Sequence, residues 1–153
     1  MNGTLKIVGS HDHGDGKPEI IKNIYNAECV QDGECFTLSY LEDAGPAHPD
    51  DPAKDASDSS GKHNVIKHTL LIGPGKVEMT QEGQVSSTLS FGPGKVWDTD
   101  YTTPYGLFKM TAITRHLLIE ISPKKISAHL QYELQMDGSK VSDSKVRISF
   151  VFD

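Results

Sequence analysis

Thr99-Asp100-Tyr101-Thr102-Thr103-Pro104-Tyr105-Gly106-Leu107-Phe108-Lys109-Met110-Thr111-Ala112-Ile113-Thr114 is the stretch whose reading decides the fold. β-Branched and aromatic residues run up to a Pro-Tyr-Gly corner and away from it again, the pattern of two strands joined by a tight turn. Beyond it, Gly106 to Ser122 is too long for a flat strand and changes parity. Phe108, Met110, Ala112 and Thr114 share the even face, whereas Leu117, Ile119 and Ile121 share the odd one, which predicts a bulge near Arg115-His116. Ile126, Ala128, Leu130, Tyr132, Leu134 and Met136 then alternate with polar residues, as a strand with one dry face requires. Asp137-Gly138 turns that strand, and Val146, Ile148, Phe150 and Phe152 alternate in the last one.

Upstream the same period recurs. Strands are predicted over Thr4 to His13, Glu19 to Gln31, Glu34 to Glu42, His63 to Ile72, Lys76 to Gln81, Gln84 to Phe91 and Lys95 to Thr102. Gly73-Pro74-Gly75-Lys76-Val77 returns as Gly92-Pro93-Gly94-Lys95-Val96. A nucleotide loop needs free amides and a Ser or Thr after its lysine, but here proline removes an amide and valine follows. The repeat therefore reads as one Pro-Gly turn used twice to reverse antiparallel strands.

Almost no window has a helical period, so no helix is expected to cover a sheet face. About eight to ten antiparallel strands joined by short turns hide one face and both edges by closing on themselves. The expected fold is all-β, a single antiparallel up-and-down barrel spanning residues 1–153. A sandwich is the alternative, but its Greek-key links need more long connections than the one present. A barrel of this size has room for packed side chains or one small ligand.

The one long connection is residues 43–62, with Pro46, Pro49 and Pro52 followed by Ser57-Asp58-Ser59-Ser60-Gly61, and it reads as a flexible acidic loop. Residues 42–61 hold six acids and one base, a net of -5 out of a chain total of -6. The remainder is close to neutral and offers no basic stripe in the sequence, which argues against nucleic acid and membrane surfaces as partners. No window approaches a membrane span, and Met1-Asn2-Gly3-Thr4 lacks a signal pattern, so the expected location is cytoplasmic.

Cys29 and Cys35 flank Gln31-Asp32-Gly33-Glu34. A two-residue Asp32-Gly33 loop sets Val30 opposite Cys35 and Cys29 opposite Phe36, with the thiols on opposite faces, so two reduced thiols are expected. His11 and His13 share a side of the first strand but sit beside Gly14-Asp15-Gly16, and they read as surface residues. Asp12-x-Gly14-Asp15-x-Lys17 lacks the ligands of a calcium loop, and no metal or cofactor is expected.

On the predicted inner faces lie Tyr40, His68, Gln81, Thr99, Tyr101, Met110, Thr114 and Tyr132, with Trp97 and Tyr105 near the corner. Buried hydroxyls must find partners, so several converging on one cavity would orient a ligand, and each could equally be tied to a neighbouring strand. His68 shares a face with Ile66, Leu70 and Ile72 and is the histidine placed indoors. Catalysis ranks lower. There is no nucleophile elbow, Glu42 sits at a strand end, and Asp98 and Asp100 face away from Trp97, Thr99 and Tyr101.

Thr103-Pro104-Tyr105-Gly106-x-Phe108-x-Met110-x-x-x-Thr114, with Phe91-x-x-Gly94, Tyr101, Tyr40-x-Glu42 and Leu130-x-Tyr132-x-Leu134, resembles the YwiB-like bacterial family of unknown function. The likeness runs from about Glu19 onward and implies a lipocalin-type (calycin) barrel with no established activity. The chain departs from the family in its acidic insertion after Glu42 and in Gln81, near where the family is expected to favour arginine. Together these readings give a binder of a small hydrophobic or amphipathic ligand, or of a peptide end, present as a monomer or weak homodimer. The alternatives are an interaction barrel with a filled core and a small enzyme using tyrosine or histidine.

Overall fold

The computed structural model describes residues 1–43, 65–83 and 86–153. Its strands are β1 (Asn2–Asp12), β2 (Glu19–Asp32), β3 (Cys35–Asp43), β4 (Val65–Gly73), β5 (Lys76–Glu82), β6 (Ser87–Phe91), β7 (Val96–Thr103), β8 (Gly106–Ile121), β9 (Lys125–Met136) and β10 (Ser139–Phe152). All ladders are antiparallel. The order β6-β5-β4-β3-β2-β1-β10-β9-β8-β7 keeps chain neighbours side by side and pairs the first strand with the last. Apart from Asp43, the predicted loop at 43–62 lies outside the described residues.

The two ends of this ribbon meet again. Ser86 and Thr102 exchange backbone hydrogen bonds of 3.0 and 3.1 Å, and Trp97 donates from Nε1 to the Thr88 carbonyl at 2.9 Å. Thr114 adds a tie on each side, its amide donating to the Lys95 carbonyl and its hydroxyl accepting from the Gly92 amide. One sheet curls into a nearly closed, ten-stranded up-and-down barrel, so the sandwich alternative fails: among the described residues there is no second layer. Among the described residues there is no helix long and apolar enough to cross a membrane.

The local expectations hold with two adjustments. The β8–β9 register shifts between Thr114 and His116, at the predicted bulge. Pro74-Gly75 makes the two-residue β4–β5 hairpin, with Gly75 at φ 63°, but its echo at Pro93-Gly94 joins β6 to β7, which share an isolated bridge and no ladder. The two copies therefore do different work, one closing a hairpin and the other closing the barrel. In the β2–β3 hairpin the turn is Gly33-Glu34, so Asp32 pairs with Cys35 and Cys29 with Leu38, one step on from the predicted register. Parity is unchanged by that step. Cys29 is buried, Cys35 is half-buried, and both thiols are free.

The core fills the half of the barrel near the chain termini. Leu5, Leu38, Ile72, Phe91, Ile126, Ile148 and Phe150 are each 0% exposed there. Burial of each such side chain is worth roughly 1.5–3 kcal/mol relative to exposure, so this half supplies most of the folding force. Gly3 is required by the packing, because a Cβ at that position would lie 2.5 Å from the Phe150 ring.

Candidate functional site

The other half of the barrel is hollow. A cavity of about 380 Å³ lies against β1 to β6. One row of inward residues crosses it, because Tyr40 pairs with His68, His68 with Gln81, and Gln81 with Ser87 in successive ladders. The row on one side of it, Leu70, Met79 and Leu89, is apolar, and Ile7 and Ile21 extend that surface onto β1 and β2, while Glu42, His11 and Asn23 add polar groups. A volume near the low end of the ~300–1,000 Å³ typical of ligand sites suits a molecule of a few fused or linked rings.

Aromatic side chains stack along one wall. The Tyr25 and Tyr40 ring centroids are 4.4 Å apart, and Tyr40 lies over His68 at 4.7 Å with the planes 9° from parallel. Glu42 ties the two ends of the stack together. Its Oε1 is 2.8 Å from His68 Nε2, and a carboxylate accepts, so the imidazole donates there; its Oε2 accepts a longer bond of 3.4 Å from the Tyr25 hydroxyl. Burial, then the charge of Glu42, pushes the Tyr25 phenol up. Burial raises Tyr40 far above the ordinary tyrosine value, with Tyr25 and Glu42 adding to it. Both phenols are consequently fixed as neutral hydrogen-bonding groups across the physiological range.

The stack exists because β2 and β3 part company. Their ladder runs from Asp32↔Cys35 to Glu28↔Ser39 and stops, after which β2 follows β1 as far as Glu19 and β3 follows β4 as far as Asp43. Tyr25 and Tyr40 fill the gap. They line both the inner cavity and a cleft on the outside of the barrel, so their rings are the wall between the two.

Of the residues singled out from sequence, Tyr40, His68 and Gln81 come together on this cavity. The others do not join them. Thr99, Tyr101 and Met110 face inward by register, paired as Thr99↔Met110 and Tyr101↔Phe108, but they belong to the wall of β7 and β8 and do not line the cavity. Thr114 is spent on the closing seam. Tyr132 packs on Phe91, with centroids 4.7 Å apart, and its phenol is raised by burial against a bond to Ser144. Tyr105 is 93% exposed, at the tip of the β7–β8 hairpin, so it does not line the cavity. That turn is held by the Thr103 hydroxyl, which accepts from the Tyr105 amide and donates to the Gly106 carbonyl.

Glu42, Tyr25 and His11 are among the residues of the site that escaped the sequence reading. Glu42 shares parity with Phe36, Leu38 and Tyr40, and that parity, rather than its place at a strand end, is what decides its direction. Tyr25 was hidden by the doublets Ile20-Ile21 and Ile24-Tyr25, which give β2 no clean alternation. His11 is a correction: it is half-buried, not a surface residue, and its Nδ1 lies 2.7 Å from the Ser144 hydroxyl, which touches Ser142 in turn. Gly9 makes room for it, since a Cβ there would lie 2.7 Å from the His11 ring. Burial, then His13, holds the His11 imidazole below its ordinary value against the opposing pull of Glu19. His13 is exposed, and no cluster of three or more His, Cys, Asp or Glu side chains able to hold a metal occurs among the described residues.

A family model described as "Domain of unknown function (DUF1934)" matches residues 54–148. Among solved structures the chain is similar to "Crystal structure of ywiB protein from Bacillus subtilis", with a TM-score of 0.78 over 99% of this chain and 92% of that one. At 16% identity that likeness speaks for the barrel alone. No curated protein matches the chain.

Proposed function

Since the chain belongs to the DUF1934 family, whose description assigns no activity, we propose from its own geometry that it is a binding protein for a small amphipathic molecule held in the hollow half of the barrel. The observation that carries this reading is the polarity of the cavity: stacked Tyr25, Tyr40 and His68 with Glu42 on one side, and Leu70, Met79 and Leu89 on the other. A planar or aromatic ligand with a donor group is the best fit, its donor on the free lone pairs of Glu42 and its apolar part along Leu70 and Leu89. Binding without catalysis is favoured because the phenols are displaced upward, away from the neutral range in which an acid-base group works best.

The test uses N-phenyl-1-naphthylamine, a neutral aromatic amine whose emission rises in dry surroundings. Saturable one-to-one enhancement that is lost in Leu89→Trp, a substitution that fills the cavity, is the expected result. Enhancement that does not saturate, or that survives Leu89→Trp in a folded barrel, would sink the reading. Native mass spectrometry of the protein from its own cells would then show which molecule it carries.

A further inference from the structure

The sequence places almost no net charge outside residues 42–61, yet folding does not spread that charge evenly. β2, β1, β10 and β9 lie side by side in the sheet, and their outward residues form one exterior face. Between the row containing Ser10 and the row containing Thr4, each of the four strands has four outward positions. Those positions hold Lys6, Lys22, Lys125, Lys145 and Arg147, five of the chain's 15 Lys and Arg residues, and none of its 21 acids. All five cations are exposed, and no salt bridge to them occurs among the described residues. The crowding is felt within the patch, where Lys22 foremost, and Arg147 and Lys125 more weakly, hold the Lys6 ammonium below its ordinary value. The near neutrality of the remainder stands as a net count, and its distribution puts a basic face on an acidic protein.

We propose that this face docks an extended acidic protein segment with carboxylates at alternate positions. The register supplies the spacing. Lys145 pairs with Ser10, Lys22 and Arg147 both pair with Val8, Lys6 pairs with Ser149, and Lys125 pairs with Val151, so four successive rows each hold at least one cation. Rows on one face recur every second residue, about 6.6 Å apart, which is also the repeat of same-side residues in an extended peptide. The size points the same way: four strands at ~4.8 Å by seven residues at ~3.3 Å give roughly 440 Å², about half of the ~800 Å² that a globular partner buries on each side. Nucleic acid fits less well. The outward positions hold no Phe, Tyr or Trp for base stacking, and the net charge of -6 opposes a long polyanion beyond the patch.

The experiment titrates the full chain with a fluorescein-labelled peptide of alternating Glu and Ser, about twelve residues long, and with oligothymidylate of equal charge. Saturable peptide binding should weaken about tenfold in Lys6→Glu/Arg147→Glu and by less in Lys6→Gln/Arg147→Gln. Lys109→Glu, on a different wall, should leave it unchanged. Binding should also fall steadily as salt rises from about 0.05 to 0.3 M. All of the altered side chains are exposed, so thermal unfolding should match the parent and separate a lost contact from a lost fold. Peptide binding that ignores the Lys6/Arg147 changes, binding lost equally in Lys109→Glu, no saturable binding at all, or tighter binding of the oligothymidylate would each overturn the proposal.

Discussion

Replacing Tyr40 by alanine removes the middle ring of the Tyr25–Tyr40–His68 stack, and its cost can be worked from the geometry. Tyr40 is 7% exposed and touches a ring on each face. Truncating a buried aromatic side chain costs about 3–5 kcal/mol in transfer and cavity terms. The two ring contacts, each worth ~0.5–1.5 kcal/mol, place the expected loss in the upper part of that range. For a chain of this length a loss of about 4–5 kcal/mol corresponds to a fall in Tm of roughly 8–20 °C. The Tyr40 hydroxyl makes no hydrogen bond among the described residues, so Tyr40→Phe should lie within about 0.5 kcal/mol of the parent. Urea unfolding followed by tryptophan emission and by far-ultraviolet circular dichroism gives both numbers. Because the ring is also the wall between cavity and outer cleft, Tyr40→Ala should speed the release of N-phenyl-1-naphthylamine, whereas Tyr40→Phe should not. A loss below about 1 kcal/mol for the alanine variant, or equal losses for the two variants, would refute the claim that a packed ring stack forms this wall.

Other expectations follow from the seam, the histidine and the thiols. Trp97→Phe removes the 2.9 Å bond to the Thr88 carbonyl and should cost about 0.5–1.5 kcal/mol; amide exchange should quicken in β6 and not in β1 or β10, and a uniform change would contradict the seam. His11, held low by burial foremost, binds its proton more weakly in the folded than in the unfolded chain. Its contribution to stability is thus fully present above the ordinary histidine value of ~6.5 and is lost as pH falls through the lowered folded value. His11→Gln should flatten that part of the Tm-against-pH curve, and an unchanged slope would contradict the assignment. In the native protein Cys35 should react with a thiol reagent well before Cys29, whose thiol is buried and raised by that burial; equal rates before unfolding would contradict the register of β2 and β3.

How much of this was legible depends on parity. In β9 the alternation from Ile126 to Met136 is unbroken, and every inward residue follows from it. The row Tyr40–His68–Gln81 was readable for the same reason, since three strands with clean alternation needed only the correct turns to align. β2 gave no such pattern. Its doublets Ile20-Ile21 and Ile24-Tyr25 arise because the strand leaves β3 at Glu28, so that Ile20 and Ile24 can face outward, Ile24 beside an open cleft. The separation of two strands is a long-range event with no local signature, and Tyr25 and the ring stack were lost with it. Tyr105 failed for the opposite reason: a concentration of aromatic and hydroxyl residues at a corner says that a turn is there, but a two-residue hairpin points its tip away from the barrel. Closure through β6 and β7 was expected from the need to hide edges, whereas its means, a Trp97 indole and a Thr114 hydroxyl, depended on a register that no sequence period sets. The basic face has the same origin, because its five cations come from β1, β2, β9 and β10, which only the pairing of first strand with last brings together.

The most direct measurement is methyl-resolved NMR of the protein with N-phenyl-1-naphthylamine. Intermolecular Overhauser effects are predicted to Ile7, Ile21, Leu70, Met79 and Leu89, which line the cavity, and not to Leu5, Ile126 or Ile148, which fill the dry half. Effects confined to the outward methyls of Ile20, Ile24 and Leu41, or to none, would contradict a barrel that binds its ligand inside.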